Sequence, residues 1–132
     1  MRKSFEKNLI LLIIRLGAGG MMLTHGIPKI ERILADEVKF ADPFGLGPTI
    51  SLGLAIFAEV ICSVLIMIGF KVRLATIPLM ITMLTAAFYA HWDDPFGRKE
   101  LPLLYFLTFL GLVVFGGGKF SIDGLTGKKR RI

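Results

Sequence analysis

Four long apolar runs constrain what this chain can become: residues 8–26 (NLILLIIRLGAGGMMLTHG), 50–69 (ISLGLAIFAEVICSVLIMIG), 74–92 (LATIPLMITMLTAAFYAHW) and 101–117 (LPLLYFLTFLGLVVFGG). Crossing hydrocarbon takes about 20 predominantly apolar residues, and each run comes close. Helices of a soluble bundle keep polar residues on about half their surface, whereas these runs are apolar nearly all round. The length of 132 residues fits one domain covering 1–132, and 54% of them are hydrophobic, with a mean hydropathy of +0.69. The prediction is an all-α polytopic membrane protein, with four transmembrane helices in an antiparallel bundle. MRKSFEK followed by LILLII has the look of a secretory leader. Arg15 interrupts the apolar stretch, however, and no clear A-x-A site follows, so the first run reads as a retained helix.

The net charge of +6 is distributed as a topology signal rather than as a nucleic-acid footprint. Four spans place both termini and the 70–73 loop on one side. That side holds Arg2, Lys3, Lys7, Lys71, Arg73, Lys119, Lys128, Lys129, Arg130 and Arg131. Lys29, Arg32, Lys39, Arg98 and Lys99 fall on the other, among several acids. Ten cations against five follows the positive-inside rule and predicts cytoplasmic termini. The KKRR tail also suits anionic lipid. Cys62 is the only cysteine; a thiol–disulfide mechanism needs a pair of thiols and is excluded for this chain acting alone. Cys62 reads as a small packing residue.

Between the first two runs, IPKIERIL predicts a short interfacial helix beginning at Pro28, stopped by the turn residues DPFGLGP. FKVR (70–73) reads as a tight hairpin. The DPFG at 42–45 recurs at 94–97, before another span. Pro78 lacks a backbone donor and predicts a bend near 74–78. GGG at 116–118 lacks the context of a nucleotide-binding loop and reads as a flexible helix end.

The informative residues are the polar ones inside these runs. At helical spacing Arg15, Ala18, Gly19, Met22, His25, Gly26 and Lys29 form one stripe of the first run. Ser51, Ala55, Ala58, Glu59, Cys62 and Ser63 form one of the second. Small residues let helices approach closely in lipid, so Arg15 and Glu59 both point into the bundle. Counted from the cytoplasmic ends of their runs at about 1.5 Å per residue, Arg15 lies about 10 Å and Glu59 about 15 Å deep. That predicts a buried Arg15–Glu59 pair setting helix register.

His25 and His91 end the first and third runs at the outer surface. Lys29 lies one turn beyond His25, and Trp92, Asp93 and Asp94 follow His91. Interfacial polar residues with Trp92 as a belt anchor would account for each alone. Together with a buried Glu59 beneath them they predict a polar cavity near the outer face. A quinone head needs donors to its carbonyls and a proton route; His25, His91, Glu59 and Tyr89 or Tyr105 can supply them. Two histidines can also ligate haem from facing helices, but nothing else in the sequence marks a haem site. A metal site is not predicted, since two histidines and one distant cysteine are too few ligands for zinc.

These residues also form an ordered pattern. RLGAGGMMLTHGIPKI (15–30), AEVICSVLIMIGFKVRLAT (58–76), AAFYAHW (86–92) and GGGKFSIDGL (116–125) together resemble the DoxX family of small bacterial four-helix membrane proteins, over nearly the whole chain. The family takes its name from a small subunit associated with a terminal quinol oxidase. Related proteins resemble the membrane part of a thiosulfate:quinone oxidoreductase, and others are associated with redox-stress complexes. The resemblance therefore implies quinone-linked redox work. Its matching polar positions are Arg15, His25, Gly26, Lys29, Glu59, Arg73 and Asp123, with no cofactor-binding role attached to any one of them. The expectation is a multi-pass subunit of the bacterial cytoplasmic membrane, touching lipid and either other complex subunits or copies of itself, but no nucleic acid. The competing expectation is a non-catalytic accessory or assembly subunit whose charges are structural.

Overall fold

The computed structural model describes residues 2–126, all helix, turn and loop with no strand among them. The tail cations Lys128, Lys129, Arg130 and Arg131 of the topology argument lie outside the described residues. Helix α1 runs over Arg2–Ile33, α2 over Pro48–Ile68, α3 over Val72–Ala90, α4 over Phe96–Phe115 and the short α5 over Ile122–Thr126. By length and composition α1, α2 and α3 can each cross a membrane. Helix α4 has 20 residues, but Arg98, Lys99 and Glu100 stand at its start, and its apolar part begins only at Leu101.

The interfacial helix expected from Pro28 does not exist as a separate element. Helix α1 continues through Pro28 to Ile33 as a single run of 32 residues. A proline inside a helix removes one ladder bond, and the apolar positions Ile27 and Ile30 keep the helical pattern going. At about 1.5 Å per residue α1 is about 48 Å long, well beyond the roughly 30 Å of a hydrocarbon core.

Helices α1 and α2 pack antiparallel along the two small-residue stripes. Leu11, Arg15, Ala18, Gly19, Met22 and Gly26 are buried on α1, and Ser51, Ala55, Ala58, Glu59, Cys62 and Ser63 on α2. Gly19 and Gly26 permit the close approach: a Cβ on Gly19 would stand 2.5 Å from Met67 Cγ, and one on Gly26 2.8 Å from Val60 Cγ2 and 2.9 Å from Glu59 Cβ. Leu79, Phe109 and Leu112 complete the core. Large apolar side chains such as Ile13, Leu54, Ile61, Leu74, Ile81 and Leu107 point outward, the inverse of a soluble surface and the form expected against lipid. Two helices widen locally into π-turns, α2 at Phe57–Cys62 and α3 at Ala86–Ala90.

The end of the bundle near the α2–α3 hairpin is closed by the chain after α4. Gly69 ends α2 with φ 80°, and its N–H reaches back to the Leu65 and Ile66 carbonyls, an αL stop that satisfies orphan carbonyls. Lys71 adopts φ 49°. That conformation is costly for a side-chain-bearing residue, and Asp123 holds it in place. The Asp123 carboxylate accepts from the N–H groups of Lys71 (2.7 Å) and Val72 (2.9 Å), while its own N–H donates to Gly69 O at 2.8 Å. Asp123 therefore caps α3 from outside. The glycines at 116–118 are a packed turn rather than a flexible end: a Cβ on Gly117 would lie 2.9 Å from Val72 Cγ2.

This arrangement predicts that Asp123→Ala lowers stability by about 1 kcal/mol, the usual worth of a lost cap. Gly69→Ala should cost more, because a Cβ there would overlap Ser121 and the Arg15 guanidinium at a positive φ. Thermal unfolding of the purified variants in one detergent checks both values and their order.

Candidate functional site

Arg15 and Glu59 do not pair. Arg15 is fully buried and donates through Nη1 to the carbonyls of Ile66 and Met67 (both 3.2 Å) and through Nη2 to Phe120 O. It sits at the C-terminus of α2, where carbonyls lack helical partners and the helix dipole favours a cation. Its Nε, like Ser63 Oγ, is buried without a hydrogen-bond partner among the described residues. The α1–α2 register explains the correction. Gly26 faces Glu59 and Gly19 faces Ser63 and Met67, so Arg15 falls level with the end of α2. Glu59 is several residues further along, on the order of 10 Å of helix. Run ends taken from hydropathy do not mark equal depths, since α1 begins well below residue 8.

Glu59 is instead held by Lys29. Lys29 Nζ lies 2.6 Å from both carboxylate oxygens, and the two side chains are 20% and 2% exposed. Two features of α2 and α1 place this pair. Glu59 lies within the π-turn Phe57–Cys62, where the wider turn shifts the phase of the helix face; Gly26, one turn before Lys29, brings α1 against that turn. Such π-bulges recur at functional sites.

The pair opens onto a cavity of about 200 Å³ at the end of the bundle opposite the hairpin. Met22, His25 and Lys29 line it from α1 and Glu59 from α2. Met83 and Ala86 come from α3, His91 from just beyond it, and Arg98, Leu101, Pro102 and Tyr105 from α4. The second π-turn begins at Ala86, so both widened turns border this space. The rings of His25 and Tyr105 meet edge to face at 5.8 Å and 88°, and Tyr105 stacks on Phe109 at 6.0 Å. His91 Nδ1 lies 2.7 Å from Asp94 Oδ2, which orients the imidazole. Phe40 spans the outer side of Lys29, with Lys29 Nζ at 5.8 Å and the Arg32 guanidinium at 5.3 Å from the ring centroid.

Of the residues expected at the site, His25, Lys29, Glu59, His91 and Tyr105 converge on this cavity. Arg15 does not, and Tyr89, half exposed, does not line it either. Arg98 was legible only as a loop cation; the start of α4 brings it to the rim. Two of the seven polar family positions besides Arg15 also serve the hairpin end: Asp123 caps α3 and Arg73 donates to Val114 O at 3.3 Å. No group of three or more histidine, cysteine, aspartate or glutamate side chains is placed to hold a metal among the described residues.

Removing one member of a buried pair strands the other charge, so Lys29→Met or Glu59→Leu alone should cost about 3 kcal/mol. The double variant should recover most of that loss. A double-mutant cycle by unfolding in detergent measures it; independent, additive losses would show that the two groups are not coupled in the folded protein.

The DoxX family model matches residues 10–92, which include Arg15, His25, Lys29, Glu59 and His91. A Haemophilus influenzae protein described only as uncharacterized is 33% identical over 95 residues, covering 68% of this chain. The chain spans 63% of the length of that relative. No solved structure matches. With well over half of its length matched, from the first helix to the end of the third, this multi-pass membrane chain belongs to the DoxX family.

Proposed function

We propose that the chain forms one four-span domain of the bacterial cytoplasmic membrane. Both termini lie inside, and the cavity near the outer face receives the head of a quinone or another lipophilic molecule for a quinone-linked redox system. The observation that carries this reading is the convergence of His25, Tyr105, His91 and the buried Lys29–Glu59 pair on one cavity with apolar walls. Intramembrane ionisable groups commonly mark pathways or sites. Drug-sized pockets usually measure about 300–1,000 Å³, so about 200 Å³ suits a ring head whose tail leaves between helices. A bound quinone supplies two-electron, two-proton chemistry. His25 and the Tyr105 hydroxyl would donate to its carbonyl oxygens, and Glu59, held by Lys29, would exchange protons at the cavity floor. Met22, Met83 and Leu101 would exclude water.

A second reading has its own support. Arg15, Arg73 and Asp123 are occupied in closing the hairpin end, as they would be in an accessory subunit that only assembles a larger complex.

Extraction of bound lipids from the purified protein, followed by a quinone assay, tests the first reading. Quinone should co-purify with the wild type. Its retention should fall about tenfold in Glu59→Gln and in His25→Ala, the worth of one charge-assisted hydrogen bond. Absence of quinone from the wild type, together with stable co-purifying subunits in all three proteins, would support the accessory role. Protease added to spheroplasts should leave the KKRR tail intact; cleavage from outside would reverse the orientation.

A further inference from the structure

We infer that the occupant of the cavity is an amphiphile whose head carries an ionised acid group, held between Arg98 and the Lys29–Glu59 pair. The inference rests on the reading that this cavity takes a lipophilic head, and it assigns the chemistry of that head.

The charge balance of the lining leads to it. Among the described residues Glu59 contributes the only carboxylate of the lining, and both its oxygens are taken by Lys29. The two formal charges cancel. Asp94 likewise engages His91. Arg98 is left over: it is exposed at the cavity rim, its backbone N–H donates to Pro95 O, and its guanidinium makes no hydrogen bond or ion pair among the described residues. Its neighbour Lys99 is turned elsewhere, 5.2 Å over the Trp92 ring. The lining thus carries, at its exposed rim, one cation without an ionic partner among the described residues. The polar hydrogens that remain there, on Tyr105 and on whichever His25 nitrogen is protonated, are donors as well.

A neutral quinone would leave Arg98 unpaired, whereas a carboxylate or phosphate monoester would accept from it in the paired, planar geometry that guanidinium favours. The Lys29 ammonium has three donors, and with two directed at the Glu59 oxygens one is left for the same acid. The remaining walls are apolar and the cavity is small, so the acid must end a hydrocarbon chain or ring system that extends into the surrounding lipid. A free inorganic anion would meet the cations but leave those walls unmatched.

Equilibrium binding in an uncharged detergent, with labelled oleate, oleyl alcohol, decylubiquinone and inorganic phosphate as probes, tests this. Oleate should bind about tenfold more tightly than oleyl alcohol, as expected for one charge-assisted hydrogen bond. Arg98→Gln should abolish that preference, and Lys99→Gln should preserve it. Equal binding of oleate and oleyl alcohol, or an unaltered preference in Arg98→Gln, overturns the acid head while leaving the lipophile site standing. Phosphate competing as well as oleate overturns the amphiphile. Failure of all three lipophiles to bind overturns the cavity reading itself.

Discussion

The close antiparallel contact between α1 and α2 is the constraint from which the rest of the molecule follows. In lipid there is little hydrophobic force to drive helices together, so association depends on packing and internal polar contacts. Gly19 and Gly26 supply the packing by letting backbone approach backbone, and a Cβ at either position would collide with α2. The resulting register decides the partners of both buried charges: Arg15 comes to the end of α2 and Lys29 to Glu59.

One register therefore produces two polar ends with different chemistry. At the hairpin end, Arg15, Asp123 and Ser121 bind backbone groups of the α2–α3 turn and the returning chain. Most polar groups there are matched to a carbonyl or an N–H, Arg15 Nε and Ser63 Oγ being left without a partner among the described residues, and the result is a closed seam. At the other end the polar groups are matched to one another only in part. Lys29 and Glu59 satisfy each other, His91 has Asp94, and Arg98, His25 and Tyr105 face space. The two π-turns each contribute a residue to that space, Glu59 and Ala86. Such π-bulges recur at functional sites.

Much of the architecture could be read before any coordinates. The apolar runs anticipated all four long helices, and the small-residue stripes anticipated which faces of α1 and α2 are buried. The convergence of His25, Lys29, Glu59 and His91 followed from their positions at run ends and from the depth of Glu59. Hydropathy could not settle helix ends: charged and proline residues carry α1 past both limits of its apolar run. The same limitation led to the misplaced Arg15–Glu59 pair. Tyr89 and Tyr105 were equivalent by composition, and only packing of α4 against α1 and α3 distinguishes them.

What the sequence determined by itself is therefore the solvent and the ladder. Long runs with no polar face can satisfy their backbone only as helices, and can leave their side chains exposed only to lipid. What tertiary structure decided is which charge meets which. Partner choice among long side chains depends on axial register within about one helical turn. That register is set by where Gly26 allows contact, where α2 widens at Phe57–Cys62, and where Asp123 pins the hairpin. These are positions in space that residue order constrains only through the packed whole.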